Sequence, residues 1–504
     1  MPRSTRRAGW TAMLLVGAAC GDGVGPDGKP GVRVVASPPA TDTVESAPPQ
    51  ALVVEVRGAD GAPARGVVVR FQAVPLPDSI QRFGAATTLC APPAPCAAGS
   101  SSWPPTLRVD TSDASGRVEA ALRFGTVAAP VRIAVAVPEL GFEDTVTYTV
   151  TPGAATQVVF SVPDTAVVPG ARYPVGAAAA DRNGNRRVDP ITYSTTGTAA
   201  TVTPAGEVVA GSVGRALVIA HVGTALAGAA AVSVVPAGTI VALKAPFGSA
   251  YHVGAAIVTV NLDGAGRREV AGTDGADGAL PGWVPGSGEV FFHENFDSPQ
   301  LRAVDAAGAK RDLLASSAGV VRTSHQGRFS ADGRWLFFSG ADYRGEVGIW
   351  RAGGDGSTAA MVPGLEGASQ PAPSPTGELV AYVDAGGLVT VRNMVSGAVV
   401  DFAEQGSHPR WSPAGDRVAY LAAGTDAGQA AIVVRAPDGR GRRVVTLPGQ
   451  HYVGSFDWSP DGQWLIALRS VTEQSQRLEL VRVATGDTLP LVHTRDLVHP
   501  SWKP

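Results

Sequence analysis

Apolar and polar positions alternate with a period of two in short runs over residues 31–152, as in LVVEVRGADG (52–61), GVVVRFQAV (66–74), VRIAVAV (131–137) and DTVTYTV (144–150). Side chains of a strand point alternately to its two faces, so each run predicts a half-buried strand. Asp60-Gly61 and Ser115-Gly116 fall between runs and predict tight hairpins. Residues 153–236 repeat the pattern in QVVFSVP (157–163), PVGAAAADRNGNRRVDPITYSTT (174–196) and ATVTPAGEVVAGSVGRALVIAHV (200–222). Runs of Leu, Glu, Lys and Gln between helix caps are missing while Val, Gly and Pro abound, so the expectation is an all-β chain.

The C-terminal half repeats itself. PGWVPGSG (281–288), GRFSADG (327–333), APSPTG (372–377), PRWSPAG (409–415), FDWSPDG (456–462) and PSWKP (500–504) are versions of one unit. Aligning them places Trp283, Phe329, Pro373, Trp411, Trp458 and Trp502 at one position, with spacings of 46, 44, 38, 47 and 44 residues. The first five are each followed by an apolar strand, a third strand and a Gly-containing turn. The sixth has only its first strand before Pro504, and TIVALKAPF (239–247), AIVTVNLDG (256–264) and RREVAG (267–272) supply the other three upstream.

Three resemblances follow from these segments. The Asp-Gly-x-Pro turn, the GVVVRF strand and TSDASGRV (111–118) resemble bacterial Ig-like domains of the invasin and intimin type. The second set of strands resembles another bacterial Ig-like group. The Trp-Ser-Pro-Asp-Gly units closely resemble the TolB-type six-bladed propeller, a relative of WD-repeat propellers. Together they imply two Ig-like β-sandwiches (31–152 and 153–236) followed by a six-bladed β-propeller (237–504) closed by N- and C-terminal strands, which leaves no exposed sheet edge. Pro373 replaces the Trp in the third unit, and that blade is expected to pack less well.

Residues 1–20 read as an export signal. Arg3, Arg6 and Arg7 precede a short apolar run (8–19), too short to span a bilayer as a helix. The Gly-Ala-Ala-Cys end resembles a lipobox, with Gly17 where Leu is usual, and implies lipidation of Cys20 and attachment to the membrane through that lipid. Gly21 follows the Cys, so the inner-membrane retention signal of this family is absent; the expectation is an exported, outer-membrane lipoprotein facing the periplasm or the cell surface. The Gly- and Pro-rich stretch 21–30 reads as a flexible tether. In an oxidising compartment Cys90 and Cys96 are expected to form a disulfide, although the three prolines near them oppose bridge geometry. Without nearby His or further Cys, they make a poor zinc site.

Composition narrows the function. Of 504 residues 44% are hydrophobic and 17% charged, with a formal net charge of -3. That balance suits several globular cores and gives no basic field for nucleic acid. Gly-x-Ser-x-Gly, His-Glu-x-x-His, P-loop and Rossmann signatures are absent, and no cofactor is expected. Asp181, Asn183, Asn185 and Asp189 have calcium-loop spacing, but Gly184 is misplaced and Thr192 stands where a bidentate Glu belongs; a solvated hairpin is the better reading.

Two candidate sites remain. Three residues before the aligned positions stand Leu280, Gln326, Gln370, His408, Ser455 and His499, so Gln326, Gln370, His408 and His499 would ring one channel mouth. Loops from second to third strands open on the same side and would bring Phe247, Tyr251, His252, His293, Phe296, Tyr343 and Arg344 into an aromatic patch for peptide or glycan recognition. The bland alternative is that each His bonds a neighbouring turn and each aromatic covers its own blade. The expected function is non-enzymatic: a monomeric, lipid-anchored scaffold that binds an envelope protein or glycan. The competing reading is a polysaccharide lyase or hydrolase using a metal at the Gln/His ring, as resemblance to oligogalacturonate-lyase propellers implies.

Overall fold

A computed structural model describes residues 29–74, 86–92, 96, 106–244, 255–273, 280–294, 300–314, 322–423, 430–447, 449–472 and 475–504. Cys20, Phe247, Tyr251, His252 and Phe296 lie outside the described residues. The fold is all-β: the described residues contain no helix, hence none long and apolar enough to cross a membrane. The chain divides into two compact units, one ending at Val159 and including Ala178–Pro190, the other made of Phe160–Ala177 and Ile191–Pro504.

The first unit holds a two-sheet sandwich. One sheet runs Gly31–Ala36, Leu52–Arg57, Arg117–Arg123, Thr88–Cys90; the other runs Thr41–Thr43, Phe142–Thr151, Pro130–Val137, Val68–Ala73, Leu107–Thr111. Alternation puts Leu52, Val54, Val56, Val118 and Leu122 of one sheet against Val69, Phe71, Ile133 and Val135 of the other, all buried in one core. Cys90 and Cys96 are disulfide-bonded, with Cα atoms 5.5 Å apart.

The turns expected to be hairpins are crossovers. Asp60-Gly61 leads from Leu52–Arg57 to Val68–Ala73, and Ser115-Gly116 from Leu107–Thr111 to Arg117–Arg123, in each case from one sheet to the other. The reason is local satisfaction of the backbone. The Asp113 carboxylate accepts the N–H groups of Ser115 (2.8 Å) and Arg117 (2.9 Å), so the chain can leave its ladder without stranding donors. Gly116, at φ 74°, sits so close to the neighbouring strand that a Cβ would lie 2.6 Å from the Val56 carbonyl.

The Asp181 loop is the expected tight reversal, with Arg182, Gly184 and Arg186 exposed and only the Asp181 side chain drawn inward. Asp181 is buried and accepts the N–H groups of Gly153 (2.9 Å), Asn183 (2.9 Å) and Asn185 (3.0 Å) and the Asn185 side-chain amide (2.8 Å). Those hydrogen bonds hold its carboxyl below the ordinary range against the opposing effect of burial, and Asp189 turns away to pair with Arg187.

In the second unit, Thr165–Val167, Leu226–Val234, Gly214–Val222 and Thr192–Thr196 form a sheet that faces a second one of Arg172–Pro174, Glu207–Ala210 and Ala200–Val202. Val175, Val208, Val218, Val232 and Val234 fill the space between.

A propeller-type array of four-stranded antiparallel meanders follows. Their first strands are Gly282–Trp283, Arg322–Phe329, Ser369–Pro373, Val399–Trp411, His451–Trp458 and Leu497–Trp502. The thirteen-residue strand Val399–Trp411 also serves as the last strand of the preceding meander. Leu497–Trp502 pairs antiparallel with Thr239–Lys244, Ile240 opposite Trp502, and that sheet continues through Ala256–Asn261 to Arg268–Glu269. From Arg322–Phe329 to Leu497–Trp502 consecutive first strands neighbour one another, and Leu497–Trp502 lies beside both His451–Trp458 and Gly282–Trp283. Second strands such as Trp335–Ala341 lose the period-two pattern because they are covered on both faces; Leu336, Phe337 and Phe338 have no exposed surface.

The repeated Ser-Pro-Asp-Gly turn has a physical basis. The buried Ser412 hydroxyl accepts the Arg417 N–H (3.0 Å) and donates to Asp416 (2.7 Å), while Ser459 accepts from Trp464 (2.9 Å) and donates to Asp461. Gly415 and Gly462, at φ 71° and 66°, close the reversal. Substituting Ser412→Ala leaves both partners without their buried hydroxyl and is expected to lower unfolding free energy by about 1–3 kcal/mol in urea titrations. Ser396→Ala, in an exposed turn, is expected to change it by no more than about 0.5 kcal/mol.

Candidate functional site

The first strands of five meanders depart from regular pairing where the ring was expected. Register shifts occur between Thr323 and Gly327, Ser369 and Ala372, Ser407 and Arg410, Val453 and Phe456, and opposite His499. Each is a bulge that lifts backbone groups out of the ladder. Gln370, His408 and His499 adopt left-handed φ of 56°, 56° and 52°, a costly conformation for residues with a Cβ. Pro371, Pro409 and Pro500 follow them, so each bulge has one fewer N–H to satisfy.

Side chains from neighbouring meanders satisfy what is left. Gln326 Oε1 accepts the Gln370 N–H (3.1 Å), Gln370 Oε1 accepts the His408 N–H, and the Ser455 hydroxyl bonds His499 Nδ1 (3.2 Å). The ring residues are therefore brought together as connectors between sheets. Three residues further along, the indoles do the same work. Trp411 Nε1 donates to the Ala372 carbonyl (2.8 Å), Trp458 Nε1 to Arg410 (3.2 Å) and Trp283 Nε1 to Ser501 (3.3 Å). Asp457 supplies a fourth seam, accepting from the Ser501 hydroxyl (2.8 Å) and the Trp502 N–H (3.0 Å). Pro373 and Phe329 have no donor to offer; there the seams rest on Gln326 and on an edge contact of Phe329 with Phe291 at 5.4 Å.

Inside these strands lies a cavity of about 340 Å³. Trp283, Phe329, Trp411, Trp458, Trp502 and several prolines line it, and Arg328, Arg410 and Asp457 supply its charge. A second space of about 10 Å³, lined by Gln326, Gln370 and His408, shares Arg328 and Arg410 with the first. The two arginines thus form a floor between the wide cavity and the Gln/His ring. Arg410 is buried; its Nη1 donates to the adjacent Pro409 carbonyl (2.8 Å) and its Nε has no partner. Burial, then repulsion from Arg328, pushes the Arg410 guanidinium well below its ordinary range; burial also lowers Arg328, which Asp457 partly offsets. His408 is pushed down to about 3, first by burial and then by Arg410, His499 and Arg328.

These arginines and Asp457 were missed in the sequence. The signal was available: Gly282, Arg328, Ala372, Arg410, Asp457 and Ser501 each stand immediately before an aligned position, and all six line the wide cavity. The expected aromatic patch needs correction. His293 does not reach a surface: it lies in the buried strand Val290–Glu294, 3.4 Å from the Thr323 hydroxyl, because that second strand is covered on both faces. Tyr343 and Arg344 are exposed but engage each other, Arg344 Nε donating to the Tyr343 hydroxyl at 3.0 Å. The ring is also poorly suited to a metal. Its amide oxygens already accept N–H groups, and two guanidinium groups lie close enough to disfavour a cation. No group of three or more His, Cys, Asp or Glu placed to hold a metal occurs among the described residues.

No family model and no curated protein sequence matches the chain. Among solved structures it is similar to TolB from Acinetobacter baumannii, at 12% identity over 69% of this chain and 99% of that one, with a TM-score of 0.45. It is similar to a chain of a nidogen/laminin complex at 14% identity over 53% of this chain and 98% of that one, TM-score 0.40. Oligogalacturonate lyase from Vibrio parahaemolyticus is similar at 9% identity over 64% of this chain and 86% of that one, TM-score 0.36.

Because His408 is neutral when folded and basic when unfolded, the unfolded chain binds the extra proton as pH drops below 6.5. Its contribution to stability is present above 6.5 and is lost progressively toward about 3. Denaturation midpoints measured between pH 7.5 and 4.5 are expected to fall less steeply in His408→Asn than in the parent.

Proposed function

We propose that this chain is an exported, lipid-anchored recognition protein in which two Ig-like sandwiches hold a closed six-bladed propeller away from the membrane. Its work is binding of an envelope protein or glycan, and the binding site is the wide channel mouth instead of the loop patch. One observation carries this reading: a walled cavity of about 340 Å³, apolar and aromatic with a few convergent charges, the composition of a ligand site. The Ig-like assignment draws support from strand order. In both sandwiches a short early strand, Thr41–Thr43 or Thr165–Val167, runs parallel beside the last strand, Phe142–Thr151 or Leu226–Val234. The six-bladed reading draws support from the pairing of Leu497–Trp502 with Thr239–Lys244.

Two measurements test it. Labelling with a radioactive fatty acid is expected to mark the parent and not Cys20→Ser; an unlabelled parent removes the anchor. A photo-crosslinking residue at Ala331, on the rim of the cavity, is expected to capture an envelope component that one at Val395, an exposed turn residue, does not. Equal capture at both sites, or none at Ala331, contradicts recognition through the channel.

A further inference from the structure

Two arginines line the wide channel. Arg410 is 7% exposed and Arg328 only partly exposed, and both line the cavity. Burying a guanidinium is costly unless it is paired, and partners are scarce. Arg328 has no hydrogen bond or ion pair among the described residues, and Arg410 bonds only the carbonyl of its own neighbour. The one side-chain carboxylate lining the channel is spent elsewhere. Asp457 accepts from Ser501, Trp502 and its own neighbour Trp458, and forms no ion pair with either arginine. The side chains lining the channel thus set two guanidinium groups against one carboxylate.

The walls narrow the ligand further. The indole N–H groups of Trp283, Trp411 and Trp458 are consumed by backbone carbonyls of adjacent sheets, so these residues offer the cavity carbon surface and no donor. Phe329 and the prolines add more of the same, and Trp502 adds a further aromatic face. A bare inorganic anion would leave this surface without contact, and a neutral apolar molecule would leave the arginines unpaired. The guanidinium fork matches a planar carboxylate with two parallel hydrogen bonds.

Resting on the reading of the channel as the binding site, we propose that it takes a monocarboxylate carried on an aromatic or aliphatic body, the carboxylate at Arg328 and Arg410 and the body against Trp411, Trp458 and Trp502. The floor formed by the two arginines sets the depth: the space beyond, about 10 Å³, holds no more than about one water.

The test is titration of the full mature chain with 3-phenylpropionate, read by tryptophan fluorescence and thermal shift, beside 3-phenylpropionamide and inorganic phosphate. The acid is expected to saturate and to raise the melting temperature, with the amide and phosphate at least tenfold weaker. Arg328→Met is expected to keep or raise the melting temperature of the free protein, since it removes an unpaired charge, and to weaken the acid at least tenfold; Arg410→Met provides a second reading. If acid and amide bind equally, or Arg328→Met folds and binds the acid unchanged, the carboxylate inference fails while channel recognition stands. Phosphate binding as tightly as the acid also overturns it. If neither organic probe alters fluorescence or melting, the carboxylate inference falls, while recognition through the channel is decided separately by crosslinking at Ala331.

Discussion

The constraint on which this structure depends is the backbone that regular pairing leaves unsatisfied in five inner strands. Strands that converge on an axis must bulge to make room, and a bulge strands N–H groups that a sheet would otherwise pair. In this protein three meanders answer that need with a side chain from a neighbour: Gln326 for Gln370, Gln370 for His408, Asp457 for Trp502. The indoles of Trp283, Trp411 and Trp458 answer it in the other direction, donating to carbonyls. Left-handed backbone at Gln370, His408 and His499 is retained because these contacts fix it from both sides.

Function follows from where the polar groups are used up. A ring that looks like a set of ligands turns out to be occupied in holding sheets together. The chemistry left over lies one layer deeper, where Arg328 and Arg410 face an aromatic space lined by a single carboxylate side chain. A scaffold whose inner surface carries unpaired cations between apolar walls is prepared for a guest of opposite charge. The same cations disfavour a divalent metal at the mouth.

Much of this was legible from residue pattern. The aligned Trp and Ser-Pro-Asp-Gly segments located first and second strands to within a few residues, because the turn chemistry of Ser412 and Ser459 leaves a fixed signature. The upstream position of the strands that pair with Leu497–Trp502 followed from counting. Other features were hidden for physical reasons. Asp-Gly and Ser-Gly turns look alike whether they join partners or change sheets, since Asp113 satisfies the same donors in either case. Strand alternation could not place His293, which sits in a run buried on both faces. Register with the aligned position could have revealed Arg328, Arg410 and Asp457, one residue earlier in their units.

The most direct test of the seam account is native-state hydrogen exchange of the indole protons. Trp411 and Trp458 are buried and bonded to the Ala372 and Arg410 carbonyls of adjacent sheets. If those bonds hold the ring, their Nε1 protons exchange only as slowly as the core amides of Leu336 and Leu465, through global unfolding. Exchange at the rate of an exposed indole, with the core amides still protected, would show that the sheets separate locally and that the seams do not hold the array together.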